Sequence, residues 1–413
     1  MSESVPEGWK LQPLSALAEY HNGRAFKPED WSKEGLPIVR IAQINDPFRE
    51  TDYYIGSDVL DRHLIRKGDL VFSWSATLKA ILWKEYDAIL NQHIFKVIEK
   101  PNTSRIFLQQ LLEHSIEKLS ESSHGSTMKH IKKGVLDEFH SPIPPLPEQK
   151  KIASILTSVD EVIEKTQSQI DKLQDLKKGT MNELLTKGIG HTEFKDSELG
   201  RIPKSWEEMT LGAAVQKNII TDIQDGNHGA QHPKASDYVK DGIPFVMASN
   251  LKGGVIDVES TSKIPKEIYE NLRIGFAKTG DVLLTHKATI GLVAIVNENT
   301  PEVMCTPQVT YYRIGNKEEL ISNSLFYWFQ SDLFQNEIMR LSGQSTRNYI
   351  GITAQKNLLV RIPPMDEQIE MIKILESIDH DLLIKMQRLD QTQSLKKSLM
   401  QDLLTGKVRV SVN

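Results

Sequence analysis

From Gln149 onward, apolar side chains recur at Ile152, Leu156, Val159, Ile163, Thr166, Ile170 and Leu173. The steps alternate four and three, the spacing of a coiled-coil seam. A second segment repeats the pattern as Met371, Leu375, Ile378, Leu382, Met386, Leu389 and Thr392. Prolines stand just before each run, where a missing amide donor is harmless. Gly188 and Gly406 sit where C-terminal caps belong. Each run predicts a helix of about 38 residues, about 55 Å long. A helix of that length with one apolar stripe requires a partner, and each is the obvious partner of the other. The domain between them must let the chain return, so an antiparallel pair is expected. The rest of the chain reads differently. Short β-rich runs such as Leu70-Val71-Phe72, Val282-Leu283-Leu284 and Val309-Thr310-Tyr311-Tyr312 are broken by Gly, Pro and Asn. Helices are expected at Ser104–Leu119 and Asn323–Leu341. Each half is a mixed α/β domain with long functional loops.

The two helices belong to a duplication. Pro144-Pro145-Leu146-Pro147-Glu148-Gln149 returns as Pro363-Pro364-Met365-Asp366-Glu367-Gln368, an offset of 219 residues. Ile155-Leu156, Ser158, Asp160, Leu176-Lys177-Lys178, Met181 and Leu184-Leu185-Thr186 all recur at that same offset. The repeat extends more loosely into the heads: Pro6-Glu7-Gly8-Trp9 matches Pro203-Lys204-Ser205-Trp206. Leu36-Pro37-Ile38-Val39 matches Ile243-Pro244-Phe245-Val246. Gly68-Asp69-Leu70 with Ala76-Thr77 matches Gly280-Asp281-Val282 with Ala288-Thr289, and Ser126-Thr127 with Ile131 matches Ser345-Thr346 with Ile350. The chain therefore reads as head, helix, head, helix, with expected boundaries 1–143, 144–190, 198–362 and 363–413.

Composition narrows the class. The 413 residues predict two or three domains, and 39% hydrophobic with 25% charged residues is ordinary for a soluble globular protein. The apolar stretch Val282–Val296 is too short for a membrane span and is interrupted by His286 and Lys287. The opening Met1-Ser2-Glu3-Ser4 has no apolar core, so no secretory signal is read there. A single cysteine, Cys305, excludes an internal disulfide and a cysteine-rich zinc site, and points to a reducing cytoplasm. The net charge of −5 runs against a free-standing nucleic-acid binder, which is usually basic. A local patch, or a grip shared with partner subunits, is compatible with it.

At the helix entrances a resemblance becomes specific. Pro-Pro-Leu-Pro-Glu-Gln leading into a long helix that ends Leu-Leu-Thr-Lys-Gly resembles the conserved regions of Type I restriction-modification specificity subunits. The second copy matches with Asp366 in place of a proline, and the Pro-x-x-Trp openings resemble the start of that family's target recognition domains. The resemblance covers nearly the whole chain. It implies an α/β fold of two similar target recognition domains separated by two long antiparallel coiled-coil helices, with pseudo-two-fold symmetry. It further implies a non-catalytic protein without a cofactor of its own. Each head would read one part of a split site in double-stranded DNA, and the helices would fix the spacing. Pro145, Glu148, Gln149, Leu156, Leu184, Leu185, Pro364, Glu367, Gln368, Leu375, Leu403 and Leu404 would form that spacer and its docking surface. The implied partners are two modification subunits carrying S-adenosylmethionine and a restriction subunit with ATP-driven translocation. One DNA turn is about 34–36 Å, a separation that two such helices can span.

Base edges are read by Arg, Lys, Asn, Gln, Ser and Thr, and phosphates mainly by Lys and Arg. The richest stretch of the first head holds Ser123, His124, Ser126, Thr127, Lys129 and His130. Its counterpart in the repeat holds Gln344, Ser345, Thr346, Arg347, Asn348 and Tyr349. Both are polar, glycine-hinged and basic, although solvated loops with capping serines have the same composition. A second pair follows the Gly-Asp turns: Trp74, Ser75, Thr77 and Lys79, with His286, Lys287 and Thr289. These alternate along expected strands, so some must face the core. A third cluster is Asn227, His228, Gln231, His232 and Lys234. It lacks a carboxylate or cysteine at a convincing ligand spacing, and a DNA loop is favoured over a metal site.

Enzymatic motifs are missing. A base-flipping adenine methyltransferase needs an Asn/Asp-Pro-Pro-Tyr/Phe motif. Asn45-Asp46-Pro47-Phe48 lacks its second proline, and no phosphate loop occurs. Gly68-Asp69 and Gly280-Asp281 read as turns before strands rather than as catalytic carboxylates. Two classes remain: a DNA-reading subunit, or a coiled-coil scaffold that touches no DNA. Divergent heads beside near-identical helices favour the first, since a scaffold has no use for two different heads.

Overall fold

The computed structural model describes residues 5–121, 131, 133–229, 232–343 and 349–412. In the first head the principal strands are β1 (Ala18–Asn22), β2 (Leu36–Val39), β3 (Leu70–Ser73), β4 (Lys79–Leu82), β5 (Ala88–Leu90) and β6 (Ile94–Glu99). They are followed by helix α1 (Arg105–Glu121) and the long α2 (Leu146–Lys187). In the second head they are β7 (Ile220–Gln224), β8 (Ile243–Val246), β9 (Val282–Thr285), β10 (Val293–Ile295), β11 (Val303–Cys305) and β12 (Val309–Ile314). Helices α3 (Ser322–Gln330), α4 (Asp332–Ser342) and the long α5 (Met365–Leu404) close the chain.

The duplication extends to strand order. β1-β6-β3-β4 form an antiparallel sheet in the first head, and β7-β12-β9-β10 form the same sheet in the second. A small mixed sheet stands beside each, built on the parallel pair β2/β5 or β8/β11. β3 and β9 are buried along their whole length, which is why their sequences are continuous apolar runs rather than alternating ones. The Gly-Asp turns fall where expected. Gly68 and Gly280 are left-handed, and the Asp69 and Asp281 carboxylates accept from the Arg66 and Lys278 amides at 2.9 and 2.7 Å. The helix expected at Asn323–Leu341 is split in two. Ser331 is extended, and its hydroxyl accepts from the Phe334 amide at 3.3 Å, so it starts a new helix where the apolar pattern alone reads straight through.

The long helices run 42 and 40 residues. Gly188 and Gly406 adopt the left-handed cap conformation. The α2 seam holds at every expected position, from fully buried Ile152 and Leu156 to buried Thr166 and Ile170. The α5 seam needs one correction. Met386 is 50% exposed, and Lys385, at the position matching Thr166, is half-buried instead. Strict alternation of three and four after Leu382 lands on Lys385, and the geometry follows the period rather than the apolarity.

The chain forms two compact units, Met1–Gln169 with Lys385–Asn413, and Ile170–Ile384. Each unit holds its own head, the first part of the helix that follows it and the last part of the other helix. In the first unit Ile152 and Leu156 of α2 share a core with Met400, Leu403 and Leu404 of α5. In the second, Met181, Leu184 and Leu185 share one with Met371 and Leu375. The helices run antiparallel within each unit. Lys396 pairs with Asp160 in one, Lys177 with Asp379 in the other, both at 2.6 Å.

The Glu-Gln pairs of the helix entrances do internal work. Glu148 is buried and accepts from the Trp9 indole at 3.0 Å and from the Arg409 guanidinium at 2.7 and 2.9 Å. Burial pushes its carboxyl up, but Arg409 and Trp9 outweigh that and hold it below the usual range. Glu367 likewise accepts from the Trp206 indole at 2.8 Å and the Ile189 amide at 2.8 Å, with His191 Nε2 2.9 Å away. Gln149 accepts from the Ser104 amide at the start of α1 (2.9 Å) and donates to the Pro144 carbonyl (2.9 Å). Gln368 accepts from the Ile321 amide before α3 (3.0 Å) and donates to the Pro363 carbonyl (2.8 Å). Of the residues assigned to the spacer and its docking surface, Glu148, Gln149, Gln368 and all six leucines are buried in their own unit. Pro145 and Pro364 are exposed.

Candidate nucleic-acid interface

In each unit three segments meet at one end of the antiparallel sheet. The first is the tip of the hairpin, β3–β4 or β9–β10. Each tip carries a left-handed, exposed alanine, Ala76 (φ 57°) and Ala288 (φ 67°), followed by an exposed threonine, Thr77 and Thr289. The second is the return segment: the Ile131 amide donates to the Trp74 carbonyl at 2.9 Å, and the Ile350 amide to the His286 carbonyl at 3.0 Å. The third is the turn entering β6 or β12. There the Trp74 amide donates to the His93 carbonyl at 3.4 Å, and the His286 amide to the Gln308 carbonyl at 3.0 Å. Trp74 and His286, His93 and Gln308, Ile131 and Ile350 thus occupy matching places in the two units.

A fourth element fixes this frame. Gly23 and Gly226 run so close to the strand ends that an added Cβ would stand 2.3 Å from the Asn91 carbonyl oxygen or 2.1 Å from that of Cys305. Glycine alone fits. The residues before them, Asn22 and Asp225, mark a repeat too short to be read from the sequence.

In the second unit Asp225 is 3% exposed, and its Oδ2 accepts from His228 Nε2 at 2.8 Å and stands 3.7 Å from His286 Nε2. His286 is fully buried, and its Nδ1 is 2.8 Å from the Thr310 hydroxyl. Burial pushes the imidazole down to about 4, against the pull of Asp225, so the ring is neutral at pH 7. Its face packs against Tyr349, ring centroids 5.5 Å apart. A cleft of about 250 Å³ opens beside this network, lined by His228, His232, Met247, Lys287, Thr306 and Gln308 among others.

The sequence candidates divide accordingly. Thr77, His228, Lys234, Lys287, Thr289 and Tyr349 present side chains to solvent. His232 is half-buried against Phe245. Trp74 packs on His93 and Phe95 at 5.4 and 5.8 Å. Ser75, Asn227 and His286 are buried at 6, 3 and 0% exposure. Asn227 ties the Arg273 amide and the Ile274 carbonyl together and so braces the loop from inside. Lys79 lines a different cleft, with Glu113, Asp160 and Lys396. Ser123, His124, Ser126, Thr127, Lys129, His130, Gln231, Gln344, Ser345, Thr346, Arg347 and Asn348 lie outside the described residues. Sequence reading missed Asp225, Thr306, Gln308 and His93; only the strand register reveals them. Among the described residues no group of three or more His, Cys, Asp or Glu could hold a metal ion, and no helix is long and apolar enough to cross a membrane.

Each unit thus carries one copy of the same head on an antiparallel pair of helix segments. The fold is that of the S subunit of a Type I restriction-modification system from M. genitalium, with a TM-score of 0.59 at 13% identity over 97% of this chain and 98% of that one. A second solved structure, from work on complex assembly and conformational transition of the type I R-M system, gives 0.54 at 17% identity over 98% of this chain and all of that one. By sequence the chain is 28% identical to the Type I restriction enzyme MjaVIII specificity subunit of Methanocaldococcus jannaschii, over 98% of this chain and 94% of that protein. It is 24% identical to the EcoBI specificity subunit of Escherichia coli, over 91% and 80%. The model of the Type I restriction modification DNA specificity domain matches twice, at residues 6–175 and 203–393, and the chain belongs to that family.

Proposed function

We propose that this chain is the non-catalytic, DNA-sequence-reading subunit of a Type I restriction-modification complex acting in the cytoplasm. Residues 1–143 and 198–362 are the two recognition domains, each reading one half of a bipartite site in double-stranded DNA. Residues 144–190 and 363–413 set the spacing and dock two modification subunits, which carry S-adenosylmethionine, and a restriction subunit. The observation that carries this reading is one frame built twice and furnished differently. The two heads share strand order, hairpin tips and anchor bonds, yet the first has Trp74 where the second has His286, and His93 where the second has Gln308. Two non-identical readers on one frame suit two non-identical half-sites. Candidate contacts are the exposed Thr77, His228, Lys234, Lys287, Thr289 and Tyr349, together with the polar stretches around Ser126 and Thr346.

The test is methylome sequencing of cells expressing the chain with a partner methyltransferase, beside cells in which residues 343–349 are replaced by Gly and Ser. A split methylated motif, altered in one half only by the replacement, supports the reading. An active methyltransferase with no split motif moves the chain to the scaffold class.

A further inference from the structure

We infer that the turn Thr306–Gln308 is the base-reading element of the second unit, with Gln308 and Lys287 as donors to the acceptor edge of a guanine, and that Asn91–His93 is its counterpart in the first. This rests on the DNA-reading function proposed above. Gln308 is half-buried, and its Oε1 accepts from the Ala248 amide at 3.1 Å. A backbone N–H can only donate, so the carbonyl end of this side chain is turned inward. The Nε2 end, with its two hydrogens, is left for the cleft that Gln308 lines. With its oxygen already engaged, Gln308 is poorly suited to the bidentate pair an amide makes with adenine, which needs donor and acceptor together.

Lys287 lines the same cleft, is exposed and has no carboxylate within ion-pair distance among the described residues. Asp225, which stands against His286, is buried and engaged with His228 and His286. The cleft therefore offers hydrogen-bond donors and positive charge, which match the O6 and N7 acceptors of guanine. The turn is held before any ligand arrives. The Thr306 amide donates to the Val246 carbonyl at 2.9 Å, the Val309 amide to the Thr306 carbonyl at 3.1 Å and the His286 amide to the Gln308 carbonyl at 3.0 Å. Readers fixed in advance lose little freedom on binding.

The first unit holds the matching turn in the same way, with the Asn91 amide donating to the Val39 carbonyl at 2.9 Å and the Trp74 amide to the His93 carbonyl at 3.4 Å. Its side chains differ: Gln92 is exposed and His93 half-buried. The same frame thus presents another set of polar atoms.

The experiment compares motifs methylated by the assembled complex carrying wild-type chain, Gln308→Glu, Lys287→Ala or His93→Ala. Gln308→Glu keeps an oxygen for the Ala248 amide and replaces the donor with an acceptor. Preference for guanine at one position of one half-site should fall by about 10- to 100-fold in Gln308→Glu, and fall also in Lys287→Ala, with the other half-site unchanged. His93→Ala should alter the other half-site alone. A split motif with wild-type discrimination in both Gln308→Glu and Lys287→Ala overturns the assignment while leaving the proposed function standing. No split motif from the wild-type complex, with the methyltransferase active, removes both. If Gln308→Glu fails to assemble, exposed Lys287→Ala decides alone.

Discussion

His286 is the residue whose environment departs furthest from what its position in the sequence suggests. It occupies the loop of a hairpin, yet it is fully buried and contacts Thr310, Asp225 and Tyr349. Its pKa falls to about 4 on folding, from an ordinary value near 6.5. The unfolded chain therefore binds the extra proton first as pH drops. Stability is full above pH 6.5 and is lost as pH falls toward 4, by up to about 3 kcal/mol from this group. Melting temperatures of wild type and His286→Gln between pH 7 and 4 isolate that contribution. The wild type should lose its advantage across the interval, and parallel curves would show that the ring is not held neutral. Ala76 and Ala288 make the opposite case, local strain in place of desolvation. A left-handed alanine costs about 1–2 kcal/mol and glycine far less, although glycine gives some of that back as freedom in the unfolded chain. Ala76→Gly and Ala288→Gly should each raise stability by about 0.5–1 kcal/mol in urea unfolding, and a lower midpoint would show that the methyl groups hold the tips in place. The Gly-Asp turns were legible in the sequence because their chemistry is complete within four residues. The burial of Ser75, Asn227 and His286 was not, because exposure along a loop is decided by distant segments, as when His286 meets Thr310, Asp225 and Tyr349.

At the scale of elements, period proved the stronger signal and composition the weaker. The α2 seam, the caps and the internal offset were all readable, since each rests on spacing alone. Met386 misled because it is apolar in the right neighbourhood, whereas the position set by the period belongs to Lys385. The break at Ser331 was missed because one hydroxyl restarts a helix without disturbing the apolar pattern around it. What joins heads to helices was invisible for a different reason: the partners stand 139 to 261 residues apart, as in Trp9–Glu148 and Glu148–Arg409. Removing the Glu148 carboxylate leaves a buried indole N–H and a guanidinium without their acceptor, so Glu148→Ala should destabilise the chain by about 3 kcal/mol. Glu367→Ala should act similarly on the second unit through Trp206 and Ile189. Chemical denaturation reads both, and a cost below about 1 kcal/mol would mean that these carboxylates are incidental to the joint. Asp160 and Asp379 add a second tie. Each bonds the lysine of the opposing helix and a side chain of its own head, Gln110 at 2.8 Å or the Tyr327 hydroxyl at 2.9 Å. Because these groups are only partly buried, a double-mutant cycle on Asp160 and Lys396 should return a coupling of about 1 kcal/mol or less.

At the scale of the whole molecule, sequence order and compactness disagree. Along the chain each head is followed by its helix, but each compact unit takes the end of its second helix from the other copy. The last turns of α5 contribute Met400, Leu403 and Leu404 to the core of the first unit, and the last turns of α2 contribute Met181, Leu184 and Leu185 to that of the second. Stability should therefore be exchanged between distant parts of the sequence. Leu403→Ala opens a cavity at a site 4% exposed and should cost about 2–4 kcal/mol. The loss should appear in the first unit, as faster amide exchange in β1, β3 and β6, while β7, β9 and β12 keep their protection. Leu184→Ala should do the reverse, although it stands some 200 residues earlier and follows the first head directly. Faster exchange in β7 and β12 with Leu403→Ala would mean that each helix belongs to the head nearest in sequence. The crossed outcome would mean that neither head is complete until both helices have been made. In that case each head folds only against helix segments contributed by both copies of the repeat.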